Sequence, residues 1–576
     1  MSVFDDLSLA MIPSGFKDGK LYSVIPSDGS GDFTFSRGTN LAATRINEQG
    51  LIEKGRENLL LQSNQFDTTW TTTGASTPTG GQSGYDGSSD AWLLEATSTS
   101  ARVVQNNTTS GVQTFSCYAK AGTANYIAFY NITSGSVPRA WFNLSNGTIQ
   151  NSLNNIDAKI ESLSNGWYRC SLTYNATLSN VRIYVAVTAG TFSDTTSGDN
   201  IYIQDAQLEQ GLVATDVIET TTTTAQAGIL EDMPRLNYDG GATCPSLLLE
   251  PQRQNLVTYS EYIDGISGIS KVGSSIDTNV TTSPEGLLNA SLLKEDSSNG
   301  SHFFYKDFTL TSGSTYTISI FAKSNGENRN LRLLGPSTFW STSFSGIFDL
   351  TNGTATGGTI DNYGNGWYRC SVTGIPSSAT GRLIVYSLLN TATSYQGDGS
   401  SGVYLYGFQL EEGSYATSYI PTHETSVTRS ADTIETKDIT NIITGDSFTW
   451  FLDFGDWQGS DSSKNELEIS SSNNIKIQVR VRADGYRFYY FNIQGGTQFP
   501  AGGSTTANKF CVSYDGQNYR LYRDGVKVAT TSSVGDTGWN EFSNRGGLGS
   551  SATTPLKAMT IFDNALSDQE CIDLTS

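Results

Sequence analysis

Histidine is nearly absent from this 576-residue chain, in which His302 and His423 are the only two. Two imidazoles cannot build a multi-histidine zinc site, and they cannot serve more than one histidine-dependent catalytic centre. Basic residues are also in the minority, with 35 lysines and arginines against 56 aspartates and glutamates and a formal net charge of −21. Because no basic run concentrates this minority, nucleic acid is not an expected partner.

Long apolar runs are missing as well. Nowhere do about 18 apolar residues follow one another, and the opening segment Met1-Ser-Val-Phe-Asp-Asp-Leu7 lacks the apolar run of a signal peptide. We therefore expect no membrane insertion and no secretion signal. The six cysteines are too widely spaced for a CxxC metal site or a dense disulfide scaffold, so free thiols are predicted.

Strand-forming and turn-forming residues are abundant instead. The chain has 59 Gly, 28 Tyr and 26 Phe, and only 16% of its residues are charged. Short runs such as Gln113–Ala119 and Thr315–Ala322 alternate apolar with polar residues, and Gly, Asn, Ser and Asp clusters separate the runs. This pattern is typical of antiparallel strands with one buried face, so the sequence predicts an all-β protein made of β-sandwiches.

An internal repeat organises the chain. The run Asn-Gly-Trp-Tyr-Arg-Cys-Ser occupies 165–171 and again 365–371, an offset of 365 − 165 = 200. Gln207-Leu-Glu209 matches Gln409-Leu-Glu411 at nearly the same shift, and the segments beginning at Arg56 and Arg253 agree as well. Two homologous units are therefore predicted.

The predicted architecture is a set of tandem antiparallel β-sandwiches: two jelly rolls, a third sandwich of different vocabulary, and an N-terminal segment too short for a core of its own. The expected limits are 1–54 for an attachment segment, 55–222 for the first unit, 223–249 for a linker, 250–424 for the second unit and 425–576 for the third sandwich.

Several tracts resemble those of tailed-bacteriophage virion proteins. The tract from Gln409 to Thr422 with the segment 428–433, and the opening Phe33–Thr39, are similar to parts of such proteins that contain carbohydrate-binding-module-like jelly rolls. The segments Tyr522–Val526 and Ile561–Asp568 resemble laminin-G/concanavalin-A-like domains. The resemblance implies a fibre-like virion component, assembled in the host cytoplasm, that attaches to other virion proteins through its N-terminal segment and forms homo-oligomers, trimers by analogy.

The expected function is therefore non-enzymatic adhesion to a glycan of the host surface. Three alternatives stay open: a purely structural head or tail decoration protein, a capsule-degrading glycoside hydrolase, and a secreted bacterial glycan-binding protein, which the missing signal peptide disfavours. The acid pair Glu466 and Glu468 lacks the Glu-x-Asp-x-x-Glu spacing familiar in sandwich glycosidases, which disfavours the hydrolase.

Aromatic rings near strand ends are the candidate glycan platforms, because a flat apolar ring stacks on a sugar face. These candidates are Trp141, Trp340, Trp457 and Trp539. Trp167 and Trp367, in the repeated run, are expected to be structural and to stack with Arg169 and Arg369.

No cofactor is required by this reading, and calcium is the one ion considered, because oxygen ligands are abundant and the resembled domains often carry a structural ion. The resemblance places Asp205 on a terminal strand that can supply a carboxylate to such a site. Its counterpart is Gly407, at 205 + 202, so the second unit is not expected to repeat the site.

Overall fold

Antiparallel β-strands are the dominant regular structure of the computed structural model, as the alternating pattern predicts. The structure describes residues 6–17, 19–39, 41–133, 135, 137–326, 328–341, 343–455, 458–459, 465–473, 475–482, 485–491, 497–499, 508–532, 536–545 and 552–576. One α-helix, Asp568–Thr575, lies among these residues and begins with a capping box in which Ser567 and Glu570 bond each other's backbone.

Two sheets packed face to face form the first unit. From edge to edge, one sheet contains Asp157–Ser162, Trp167–Asn175, Val112–Ala121, Asn200–Gln210, Ala91–Glu95 and Thr79–Gln82. The other contains Thr148–Leu153, Arg139–Asn143, Tyr126–Tyr130, Leu178–Ala186, Arg102–Asn106 and Thr71–Thr73, with Ile132–Thr133 paired to Leu178–Ala186.

The second unit repeats this order strand for strand. Its first sheet contains Thr359–Asn362, Tyr368–Gly374, Tyr316–Asn325, Gly402–Glu412, Ala290–Glu295 and Ser274–Thr281. Its other sheet contains Thr354–Thr356, Phe344–Asp349, Arg329–Gly335, Thr380–Leu389, His302–Thr309 and Ser270–Val272. The repeat seen in the sequence is therefore a repeat of the fold.

The third sandwich also has two sheets. One contains Leu236–Asn237, Ser246–Leu249, Ala552–Phe562, Phe448–Phe454, Lys509–Tyr514, Asn518–Arg523 and Val526–Ser532, with Leu7–Met11 and Gln458–Gly459 also paired to Ala552–Phe562. The other contains Lys437–Asp438, Trp539–Arg545, Asn465–Ser471, Lys476–Arg482, Gly485–Phe491 and Thr497–Phe499.

Short strands and single turns complete the described elements. The paired strands are Phe16–Lys17, Lys20–Leu21, Phe33–Ser36 and Thr433–Ile434; Thr44–Ile46 with Ile52–Lys54; Arg56–Asn58 with Ala225–Ala227; Arg253–Asn255 with Val427–Arg429; and Asn299–Gly300 with Tyr395–Gln396. The 3₁₀ turns are Ser164–Gly166, Asp239–Gly241 and Ile263–Gly265.

The third sandwich includes strands from outside its predicted limits of 425–576, supplied by the predicted attachment segment and by the predicted linker. Leu9 and Met11 of the predicted attachment segment, and Leu247 and Leu249 of the predicted linker, are fully buried in its core. Their alternating apolar residues cover the edge of Ala552–Phe562. Sequence distance concealed this pairing, because the partners lie hundreds of residues apart.

A buried asparagine closes each jelly roll in the same way. The Asn58 side chain donates to the carbonyls of Ala206 and Ile218, and its oxygen accepts from the amides of Leu60 and Leu208. Asn255 makes the equivalent four bonds in the second unit. The repeated Asn is therefore structural, since it satisfies backbone groups that the ladder leaves unpaired.

The repeated Gln-Leu-Glu motif is structural too. Glu209 is 1% exposed, and its carboxylate accepts from the amide and the hydroxyl of Thr215. Glu411 binds Thr417 in the same way. Each acid thus fastens the segment that leaves its unit.

Buried ion pairs join the first unit, the second unit and the N-terminal segment. Lys54 lies between Glu261 and Glu285, with its Nζ 2.7 Å from Glu285 Oε1. Arg56 reaches Glu285 at 3.5 Å and Glu209 of the first unit at 3.6 Å. Burial alone would raise the pKa of Glu261. The Lys54 ammonium, His423 and Arg56 together outweigh burial and lower that pKa.

A second buried network holds the third sandwich against the second unit. Arg235 and Arg429 both bind Glu250, at 2.7 and 2.8 Å, and Arg37 binds Asp432 at 3.1 Å. All five side chains are at most 2% exposed. The two acids and three guanidiniums come from four distant parts of the chain, so they fix the junction only in the folded molecule.

Candidate binding surface

The tryptophans predicted as glycan platforms lie inside the protein. Trp141 is 2% exposed, its indole NH donates to Thr191 O at 3.1 Å, and the ring of Phe192 covers it at 4.4 Å between centroids. Trp340 is fully buried against Phe344 and donates to Arg382 O. Neither indole has a face to offer a sugar, so the structure places both in the packing.

The C-terminal candidates divide differently. Trp539 is 2% exposed and packs edge-on against Phe448, at 5.0 Å, within the core of the third sandwich. Trp457 lies outside the described residues. The described part of the third sandwich therefore does not present Trp539 as a platform.

Trp167 and Trp367 are buried, in agreement with the structural role expected of them. Their predicted arginine partners stack elsewhere. Arg169 lies over Tyr118, at 5.2 Å, and Arg369 lies over Phe321, at 5.3 Å. The stacking expectation is corrected accordingly: each arginine covers the aromatic side chain of the neighbouring strand.

The outer face of one sheet in the first unit is aromatic but covered. Phe192, on the loop after Leu178–Ala186, packs on Tyr130, Trp141 and Tyr184 with centroid distances of 4.8, 4.4 and 4.6 Å. Tyr184 keeps only 5% of its surface exposed. The Phe192 ring, from a loop of the first unit, thus covers the aromatic outer face of that unit.

The homologous outer face of the second unit is open. Phe303 lies opposite Tyr386 across the ladder, with ring centroids 4.7 Å apart, and Tyr305 follows Phe303 on the same face at 6.3 Å. All three rings are only half-buried. These three partly exposed rings, held on neighbouring strands, form what we call the aromatic face of the second unit, and the Arg332 guanidinium lies over the Tyr386 ring at 5.7 Å.

The course of one loop explains the difference between the two units. After Thr380–Leu389 the chain turns away from this face, and Tyr395 packs on His302, at 4.6 Å, while its hydroxyl donates to Glu295 at 2.8 Å. Among the described residues of this loop, no aromatic ring packs on the aromatic face as Phe192 packs on the rings of the first unit. The aromatic face is therefore partly exposed because the loop that follows Thr380–Leu389 is held by His302 and Glu295.

Arg382 orders one end of the aromatic face. Its guanidinium binds both oxygens of Asp307, at 2.7 and 2.8 Å, and stacks on Tyr305 at 4.3 Å. These hydrogen bonds lower the pKa of Asp307, whereas burial raises the pKa of Tyr386. Aromatic rings, a charged fork and a carboxylate are the groups that stack on a sugar ring and bind its hydroxyls.

Asp205 lies at a β-bulge of the first unit, with a φ of 49°, where the second unit has Gly407 with a φ of 62°. Tyr85 donates to its carboxylate at 3.0 Å. Burial, helped by the nearby Asp90 and Asp86, raises the pKa of Asp205 to about 6. Calcium requires several oxygen ligands, and among the described residues Asp205 belongs to no group of three or more Asp, Glu, His or Cys side chains that could hold a metal ion, so these surroundings do not fit the expected ion.

No group of three or more His, Cys, Asp or Glu side chains is placed to hold a metal ion in the part of the chain that the structure describes. Glu468, one of the paired acids, is fully buried and binds Lys476 at 3.0 Å. None of the described helices is long and apolar enough to cross a membrane.

Sequence reasoning missed Phe303, Tyr305 and Tyr386. The alternation Phe303-Phe304-Tyr305 is visible, but both faces of that strand carry aromatic residues, so the pattern alone does not say which face points outward. The site becomes visible when the loops at 187–199 and 390–401 are compared in the structure. No clear motif in the sequence aligns these two loops.

Comparisons with known proteins add little to this geometry. No family model and no curated protein matches the chain. Among solved structures, the LG1-3 region of the laminin alpha2 chain is similar over 82% of this chain and 99% of that one, with 10% identity and a TM-score of 0.12.

Proposed function

We propose that the protein is a non-enzymatic, fibre-like virion component that binds a host-surface glycan through the aromatic face of the second unit. The observation that carries the proposal is that Phe303, Tyr305 and Tyr386 remain open where the homologous face of the first unit is closed by Phe192. The virion context is supported by the phage-like sequence tracts. Several copies in a homo-oligomer would raise a weak affinity by avidity.

Binding to host cells tests this proposal. The double substitution Phe303→Ala with Tyr386→Ala should weaken binding of the full-length protein about thirtyfold, since stacked aromatic contacts contribute about 1 kcal/mol each. Tyr22→Ala is the matched control, because Tyr22 is an aromatic residue 38% exposed on the N-terminal segment. Unchanged binding by the double variant, with its fold intact by circular dichroism, would reject the aromatic face as the glycan site.

A purely structural decoration role is the second candidate. The observation in its favour is that buried ion pairs join the units, as a rigid spacer or cement protein requires. Inhibition of infection distinguishes the two roles. Both proteins can be accessible to antibody at the particle surface, but only an adhesin should block infection when the free protein is added to host cells.

A further inference from the structure

A polar cleft of about 1280 Å³ separates the second unit from the third sandwich. The second unit contributes Arg369, Ser371 and Ser414 to its walls, and Asn237 and Lys557 line the opposite side. Clefts between domains are favoured sites for ligands. Glu250, which the buried network binds to Arg235 and Arg429, also lies in the lining of this cleft.

Arg369 is a buried charge in the wall of the cleft, where Asp361 of the neighbouring strand is also a lining residue. It is 6% exposed, its Nη2 donates to Ser319 Oγ at 3.0 Å, and its Nε is buried without a partner. No carboxylate of the described residues lies within 4.0 Å of its guanidinium nitrogens. Arg169 also has a buried Nε without a partner, so what distinguishes Arg369 is how its Nη2 is used. Because arginine stays protonated and buried charges are normally paired, an anion in the cleft would complete the surroundings of Arg369.

The homologous arginine of the first unit shows what is different. Arg169 donates to Thr215 O and to Ser116 Oγ, so its Nη2 is used within its own unit. Arg369 keeps the bond to Ser319, the counterpart of Ser116, but makes no bond to Thr417, the counterpart of Thr215, which lines the cleft. The Arg369 guanidinium therefore makes one hydrogen bond fewer within its own unit than the Arg169 guanidinium does.

The lining chemistry defines the class of ligand. A guanidinium fork matches the two oxygens of a carboxylate, and the exposed ammonium of Lys557 adds positive charge across the cleft. Hydroxyl and amide groups such as Ser371, Ser414 and Asn237 can bind sugar hydroxyls. We infer that the cleft binds an acidic saccharide, with a uronate carboxylate on Arg369. The inference rests on the proposed function only in taking the ligand to be a glycan.

Calorimetric titration of the full-length protein with a glucuronate-containing tetrasaccharide tests the inference. The carboxyl-reduced tetrasaccharide, which is neutral and otherwise alike, is the ligand control. We expect the acidic form to bind at least about tenfold more tightly, and Arg369→Gln to remove about that factor. Equal binding of the two saccharides, or no binding of either, would overturn the inference.

A second variant guards against misfolding of the buried arginine substitution. Lys557→Ala changes an exposed side chain and should weaken binding of the acidic saccharide several-fold; unchanged affinity in both variants would also reject the site. Phe303→Ala with Tyr386→Ala should leave this affinity unaltered. Loss of cell binding in the double variant supports the aromatic face, and loss of uronate binding in Arg369→Gln supports the cleft. Either result can fail without the other, so the two proposals are distinguishable.

Discussion

Asp205 is a residue at which the repeat diverged in chemistry while keeping its backbone. The bulge requires a positive φ, which glycine adopts freely at position 407 and which aspartate tolerates better than most side chains. The first unit therefore carries a buried carboxyl group where the second has only a hydrogen atom. The consequence is a pH-dependent stability that the second unit lacks at this position.

Asp205→Asn should show this dependence. The folded-state pKa of about 6 lies above the ordinary 3.8, so folding favours the protonated acid and the wild type loses stability as pH rises from 4 through 6. Asparagine stays neutral and still accepts from Tyr85. The variant should match the wild type near pH 4 and exceed it by about 3 kcal/mol at pH 8.

Hydrogen exchange of amides in Asn200–Gln210 of the full-length chain measures this difference at both pH values. Glu219→Gln, which removes one nearby exposed acid, is the control and should shift the profile much less. A constant difference between wild type and Asp205→Asn from pH 4 to pH 8 would show that the carboxyl group does not titrate as argued.

At the scale of elements, the strand Leu7–Met11 has the clearest energetic role. Leu9 and Met11 are fully buried in the third sandwich, whereas Ile12, directly after the strand, is 45% exposed. The strand pairs with Ala552–Phe562 near the other end of the chain. The predicted attachment segment therefore also supplies a strand of the third sandwich.

Leu9→Ala should destabilise the third sandwich by about 2–5 kcal/mol, because it leaves a cavity in a close-packed core. Ile12→Ala, three residues away on the exposed side, should cost about 0.5 kcal/mol or less. Limited proteolysis of the full-length protein in urea compares the two. Similar cleavage of both variants would mean that the strand contributes little to the sandwich.

At the scale of the whole molecule, the ion pairs around Lys54 set how rigidly the units are joined. Lys54→Met keeps the bulk of the side chain but leaves the buried carboxylates of Glu261 and Glu285 without their ammonium, at a cost of about 3–5 kcal/mol. The joint should loosen while each sandwich keeps its own core.

The amide of Val112, which donates to His423 O across the joint at 2.9 Å, reports this loosening. Its hydrogen exchange should accelerate at least about tenfold in Lys54→Met. Lys294→Ala, which removes a half-exposed ion pair with Asp277 inside the second unit, should leave it unchanged. Unaltered exchange in Lys54→Met would show that other contacts hold the joint.

Local pattern by itself determined the strands, the two homologous units and the all-β architecture, because alternation with period two and a repeated run are written into neighbouring residues. Only the tertiary structure decided which aromatic residues face water. Trp141 is hidden by Phe192, and the face at Phe303 is open because the loop carrying Tyr395 turns elsewhere. Burial depends on where distant loops come to lie, and the buried ion pairs depend on residues up to hundreds of positions apart. Neither is encoded in any local spacing.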